Sequence, residues 1–240
     1  MLATVHAATL LGVRGHPVRV EVHVDNGLPA FNVVGLPDAS CKEARDRVRA
    51  ALVSSGFAWP SRRITVNLAP TGVPKAGAVL DLPMAVGLLV ACGEVEPTSI
   101  EGMAFLGELG LDGSVRPIPG ALPLVDAVEV DVVVVAPDNA DEARLVTPKV
   151  AHPIPDLRSL VLALRGEEPW PETGSSTPEA ASFEEPDLAD VRGQRMARFA
   201  IEVAAAGAHH LLLIGPPGAG KSMLARRLPG LLPDLTDDQA

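Results

Sequence analysis

The stretch Gly215-Pro216-Pro217-Gly218-Ala219-Gly220-Lys221-Ser222 constrains this chain more than any other. It meets the pattern G-x-x-x-x-G-K-[ST] at every fixed position. Its flanks fit as well. Residues 210–214, which include LLLI, read as a short buried strand entering the loop, and 221–228 read as a helix leaving it. In that order, strand, loop and helix let successive backbone N–H groups curl around a β-phosphate, with the positive end of the helix dipole behind them. Lys221 then reaches the β- and γ-phosphates, and the Ser222 hydroxyl takes one Mg²⁺ position. The expectation is an ATP·Mg²⁺ site formed by residues 215–222. The plainer reading, a glycine-rich turn that binds nothing, leaves the matching flanks unexplained.

Binding is not turnover. Hydrolysis needs an acidic residue on a neighbouring strand to hold Mg²⁺, and a group that orients the attacking water. After Lys221 the acids are Asp234, Asp237 and Asp238, which follow a proline in a polar tail. Upstream, VVVVAPD (132–138) resembles a strand ending in an acid, but Pro137 and its position assign it to the sheet of an earlier domain. The catalytic acid is expected to be missing from these 240 residues.

Composition narrows the class. At 47% hydrophobic and 21% charged residues, the chain can bury a real core. Aromatic residues make up 3% with no tyrosine, which disfavours a base-stacking nucleic-acid platform. Twenty Lys and Arg against thirty Asp and Glu give a net charge of −10, a poor overall match to DNA or an anionic membrane. Cys41 and Cys92 lack metal spacing and read as reduced core thiols. The N-terminus has no basic region before its apolar stretch, and the longest apolar run, 82–92, is too short to span a bilayer. A soluble, cytoplasmic protein without a membrane partner is expected.

Along the chain, strands alternate with helices over 1–165, which predicts a mixed α/β domain. Val18, Val20, Val22 and Val24 alternate with polar residues, as do Ile64, Val66 and Leu68. Ser40 and Glu43 form a capping box opening a helix whose Ala44, Val48, Ala51 and Leu52 share a face, and Gly56 stops it. An apolar helix runs from Asp81 to near Gly93. Residues 106–118 read as a hairpin with Asp112-Gly113 in a tight primed turn. A strand over 130–136 and helices over 140–145 and 156–165 complete this domain. Residues 166–186, rich in Glu, Pro, Ser and Thr, read as a flexible linker. Residues 187–240, with a helix over 195–206, read as the beginning of a nucleotide-binding domain.

Five ordered blocks carry a resemblance: GLPDASCKEARDRVRAAL (35–52), ITVNLAPTGVPKAGAVLDLPMAVGLL (64–89), GELGLDGSVRPIPGAL (107–122), DVRGQ (190–194) and AAAGAHHLLLIGPPGAGKSMLARRLPGLLP (204–233). Together they resemble the magnesium-chelatase-like AAA+ ATPases called YifB or ComM. The resemblance implies a bacterial origin, a hexameric ring, and ATP-driven branch migration on DNA during natural transformation. It also implies that family members are about twice this length, and that 1–165 share the fold of the Lon protease C-terminal domain. In that fold a serine follows a Pro-Lys-x-Gly stretch, and a lysine lies in the helix after Gly-x-Val-x-Pro-Ile. Here Pro74, Lys75 and Gly77 keep the first stretch, but Leu80 and Asp81 stand near the serine's place, and Pro123 and Leu124 near the lysine's. Nucleophile and base are both missing, so peptide hydrolysis has no mechanism and the domain reads as a non-catalytic scaffold. Lys75 reads as a solvated loop lysine, with contact to an anion in its loop as the other reading. Val191, Gly193 and Gln194 match the segment that lines the adenine pocket in similar modules, and an ordinary helix start is the other reading. His209 and His210 point to opposite faces of a strand, which argues against a metal site.

Two other classes stay open. A P-loop kinase uses the same loop, but needs an acceptor site and lid arginines. A non-motor interaction module would bind nucleotide only to regulate its assembly.

Overall fold

Strand β1 (Leu2–Leu11), which no periodicity announces, pairs antiparallel with β2 (Arg14–Asp25) along its whole length. The computed structural model describes residues 1–146, 148–171, 186–234 and 236, and divides into two units, Met1–Ser176 and Thr177–Ala240. In β2 the four alternate valines are all buried, as a half-buried strand requires. The first unit continues with β3 (Ala30–Val34), α1 (Ala39–Ser54), β4 (Arg63–Ala69), α2 (Asp81–Ala91) and β5 (Met103–Phe105). After the small hairpin β6 (Glu108–Leu109) and β7 (Val115–Arg116) come α3 (Ala121–Ala127), β8 (Val132–Val135), α4 (Ala140–Arg144), β9 (Val150–Pro153) and α5 (Leu157–Leu164).

The main sheet has the order β3-β4-β2-β1-β5-β8-β9. Four of its six pairings are parallel, and the two antiparallel ones, β1 with β2 and β2 with β4, sit together at its centre. The fold is mixed α/β, as expected. The segment 132–138 contributes β8 to this sheet, paired with β5 on one side and β9 on the other. Helix α2, buried at every residue, lies on β1 and β2, and α1 packs against α2. Gly87 permits that approach: a Cβ there would stand 2.5 Å from Val22 Cγ2.

Several local expectations are corrected. Helix α1 is capped by Asp38, whose side chain accepts the Cys41 N–H at 2.8 Å, and Ser40 already lies inside the helix. Asp38 wins because it also accepts the Gly77 N–H at 3.0 Å, a nonlocal bond that Ser40 does not make. The 106–118 hairpin exists, but five residues separate β6 from β7, and only Gly113 of the Asp112-Gly113 pair has positive φ. The Ser114 hydroxyl and backbone N–H both donate to Asp112, which shapes a wider loop than a primed turn. Cys41 is buried; Cys92 is exposed.

The second unit contains α6 (Arg195–Ala206), as expected, and α7 (Lys221–Ala225), shorter than expected. Its core is Leu188, Val191, Ile201 and Leu224, with Leu213, Leu228 and Leu231 half-buried against it. The strand expected over 210–214 is not formed. Leu212 is 81% and Ile214 87% exposed, and only Leu213 packs inward. A strand needs a neighbour to take its backbone hydrogen bonds, and the described residues of this unit hold none. The linker expectation for 166–186 falls largely on 172–185, outside the described residues, as do Asp237 and Asp238. Among the described residues, no helix is long and apolar enough to cross a membrane.

Candidate functional site

The phosphate-loop motif is built on two left-handed glycines. Gly218 (φ 83°) and Gly220 (φ 82°) take a conformation that costs other residues roughly 1 kcal/mol or more. Between them, Ala219 N–H donates to Pro216 O at 3.3 Å, which closes the turn. Gly220 then caps α7 with its carbonyl, which accepts from Leu224 N at 2.9 Å. Leu224 is the one buried residue of that helix and anchors it in the core. Lys221 doubles back along the loop, and its ammonium donates to Gly215 O at 2.6 Å and Pro216 O at 2.8 Å. Ser222, Gly215, Pro216, Pro217 and Gly218 are exposed, while Ala219, Gly220 and Lys221 are half-buried.

Of the three residues expected near the base, one touches the loop. The Gln194 carboxamide donates from Nε2 to Ala219 O at 3.2 Å. Gly193 is exposed, with positive φ, and among the described residues no hydrogen bond ties it to the loop. Val191 is buried in the core, and its carbonyl accepts from Arg198 Nη1 at 3.2 Å. Arg198, which sequence reasoning missed, thus ties α6 back to the segment before it. The signal for it was only its place one helical turn after Gln194. His209 and His210 are exposed on irregular backbone, not on a strand. Among the described residues, no group of three or more His, Cys, Asp and Glu could hold a metal ion.

The first unit has a cleft of about 250 Å³ lined by Leu10, Val79, Glu108, Ile118 and Leu124, beside the stretch that follows Pro74, Lys75 and Gly77. Its chemistry is one carboxylate among apolar groups, with no serine, threonine or cysteine. Leu80 and Asp81 are both buried. Asp81 is held by Arg47, whose Nε donates to Oδ2 at 2.6 Å and whose Nη2 donates to Oδ1 at 3.0 Å. Burial pushes the Asp81 carboxyl up to about 6, against the pull of Arg47, and the same pairing raises Arg47.

Lys75 is not a solvated loop lysine. It is wholly buried, and its ammonium donates to Pro70 O. The loop folds over it because its backbone is pinned at both ends: Lys75 N–H donates to Leu36 O at 3.1 Å, and Lys75 O accepts from Asp38 N at 2.9 Å. Burial lowers its pKa. The neighbouring Cys41 thiol, buried near Asp38, is pushed up to about 12 and is inert as a nucleophile.

Comparison with known proteins agrees with both units. Residues 20–139 match the family described as subunit ChlI of Mg-chelatase, and residues 187–240 match the description magnesium chelatase, subunit ChlI. The whole chain aligns with an uncharacterised protein of Mycobacterium tuberculosis at 46% identity and with YifB of Escherichia coli at 42%. It aligns with the competence protein ComM of Haemophilus influenzae at 42%. The chain spans about half the length of these relatives, 48%, 47% and 48% respectively. The chain belongs to the magnesium-chelatase ChlI family, among its YifB/ComM-type members.

Proposed function

We propose that this chain is part of an AAA+ ATPase and binds ATP·Mg²⁺ through residues 215–222. The observation that carries the reading is the loop, with Gly218 and Gly220 left-handed and the Lys221 ammonium folded along it. The donor set fits a polyphosphate: backbone N–H groups, an ammonium and a hydroxyl lie within the eight consecutive residues 215–222. Lys221 would hold β- and γ-phosphate oxygens, and Ser222 would hold the metal. When bound, ATP·Mg²⁺ supplies a transferable phosphoryl group together with the cation that neutralises it.

In this reading residues 187–240 begin the ATPase module, 166–186 link it to the rest, and 1–165 are a non-catalytic scaffold. Support for the last point is chemical. Leu80 and Asp81 sit where the Lon-like resemblance puts a nucleophile; Leu80 has none, and Asp81 is occupied by Arg47. Turnover needs an acid that holds Mg²⁺ and an arginine that acts on a neighbour's γ-phosphate, and residues 215–222 supply neither. By resemblance, the full-length family member is a cytoplasmic hexameric ring that drives branch migration on DNA.

Titration with a fluorescent ATP analogue in Mg²⁺ tests the core of this reading. Saturable binding is expected for the wild type, with a loss of tenfold or more, on the order of a charged phosphate contact, in Lys221→Ala. Equal binding by both proteins removes the assignment.

A further inference from the structure

Gln194 is held in a conformation it would not choose. Its backbone is left-handed (φ 51°, ψ 34°), and it is one of only three non-glycine residues with positive φ among those described. Such strain persists where surrounding contacts demand it. Two contacts do so here. The Gln194 carbonyl accepts from Arg198 N at 2.9 Å as the first bond of α6, and the side-chain Nε2 donates to Ala219 O at 3.2 Å. The residue therefore stands at the start of one helix while its amide grips the loop that opens the next.

The carbonyl it grips belongs to the Ala219–Gly220 peptide. In a planar trans peptide the C=O and N–H point in opposite directions. Fixing Ala219 O toward Gln194 therefore turns Gly220 N–H away from Gln194. That N–H makes no hydrogen bond among the described residues. Nothing local would otherwise hold it. Gly220 has no side chain, and glycine tolerates both orientations of the preceding peptide. A Cβ on Gly220 would meet Met223 Cε at 3.3 Å and Gln194 Nε2 at 3.8 Å, so the amide is a neighbour of this residue as well.

We propose that Gln194 is a positioning residue for the phosphate loop: its carboxamide locks the Ala219–Gly220 peptide with the Gly220 N–H presented to a bound polyphosphate. This deepens the nucleotide-binding reading and rests on it. It assigns Gln194 to the phosphates rather than to the base.

The two roles separate by ligand. Wild type, Gln194→Ala and Gln194→Gly are titrated with Mg·ATP, Mg·GTP and inorganic tripolyphosphate, and thermal melting is followed by circular dichroism. The glycine variant removes the amide while relieving the left-handed backbone, so its fold is not at risk. Both variants are expected to weaken ATP and tripolyphosphate by the same factor, about fivefold for one neutral hydrogen bond, with the ATP-to-GTP ratio unchanged. Weaker ATP binding with unaltered tripolyphosphate binding makes Gln194 a base reader and overturns the proposal. Unaltered binding of both ligands also overturns it while leaving the ATP site standing. A wild type that takes up neither ligand removes the ATP reading and this proposal together.

Discussion

Arg47 on α1 closes on Asp81, the first residue of α2, through two hydrogen bonds of 2.6 and 3.0 Å. The carboxylate is 1% exposed and the guanidinium 20%. The same Nη2 also donates to Ser40 O at 2.9 Å, so one side chain ties the start of α1, its middle and the start of α2. A buried pair of this kind adds little when whole and costs much when halved. Arg47→Ala is expected to destabilise the first unit by about 3–5 kcal/mol, because it strands a buried carboxylate. Replacing the pair by Met at 47 and Leu at 81 is expected to recover most of that loss. Urea denaturation of the two variants against wild type is the check.

The same carboxyl sets a pH dependence. Burial raises Asp81 in the folded chain to about 6, from an ordinary value of 3.8. The folded state therefore takes up this proton at a higher pH than the unfolded state does. Its contribution to stability is fully present below about 3.8 and is lost as pH rises through about 6. Measured against Asp81→Asn, which lacks the group, wild type should gain relative stability as pH falls across that window. A flat difference between the two unfolding curves would contradict the assignment.

Asn139 works as a two-sided clamp. Its Oδ1 accepts from Ile118 N at 2.8 Å, and its Nδ2 donates to Ile118 O at 2.9 Å, with both residues buried. Asn139→Ala leaves a backbone donor and an acceptor unpaired inside the protein, and the expected cost is about 2–4 kcal/mol. Asn139→Asp keeps the acceptor but loses the donor, and should be no better. Amide exchange at Ile118 should accelerate in both variants.

Gly87 is required by packing and not by its backbone. An added Cβ would meet Val22 Cγ2 at 2.5 Å and Val22 Cβ at 3.2 Å, both in the core under α2. Gly87→Ala gains helix propensity of about 1 kcal/mol, yet overpacking of about 1–3 kcal/mol works against it. Net destabilisation is expected in Gly87→Ala. The double variant with Val22→Ala should lose less than the sum of the two single changes, read from melting temperatures.

How much was legible depends on how local the cause was. Period-two valines announced β2, and the periodic helix over 195–206 appeared as α6 with the same bounds, because one segment's own pattern decides which face is apolar. The loop over 215–222 was equally plain, since its glycines answer a backbone demand that sits within the motif. What covers a face is a different question. LLLI looked like a buried strand, yet burial and a ladder come from neighbours, and Leu212 and Ile214 are exposed. Lys75 looked like surface, but backbone bonds to Leu36 and Asp38, nearly forty residues upstream, draw it inside. Arg47 with Asp81, Asn139 with Ile118, and Gln194 with Ala219 are joined only by folding, across 34, 21 and 25 residues of chain. The sequence by itself determined elements such as β2 and α6 and the glycine-rich loop over 215–222. The tertiary structure alone decided which polar groups are buried and what each one holds, because desolvation and hydrogen bonding depend on partners that no local pattern encodes.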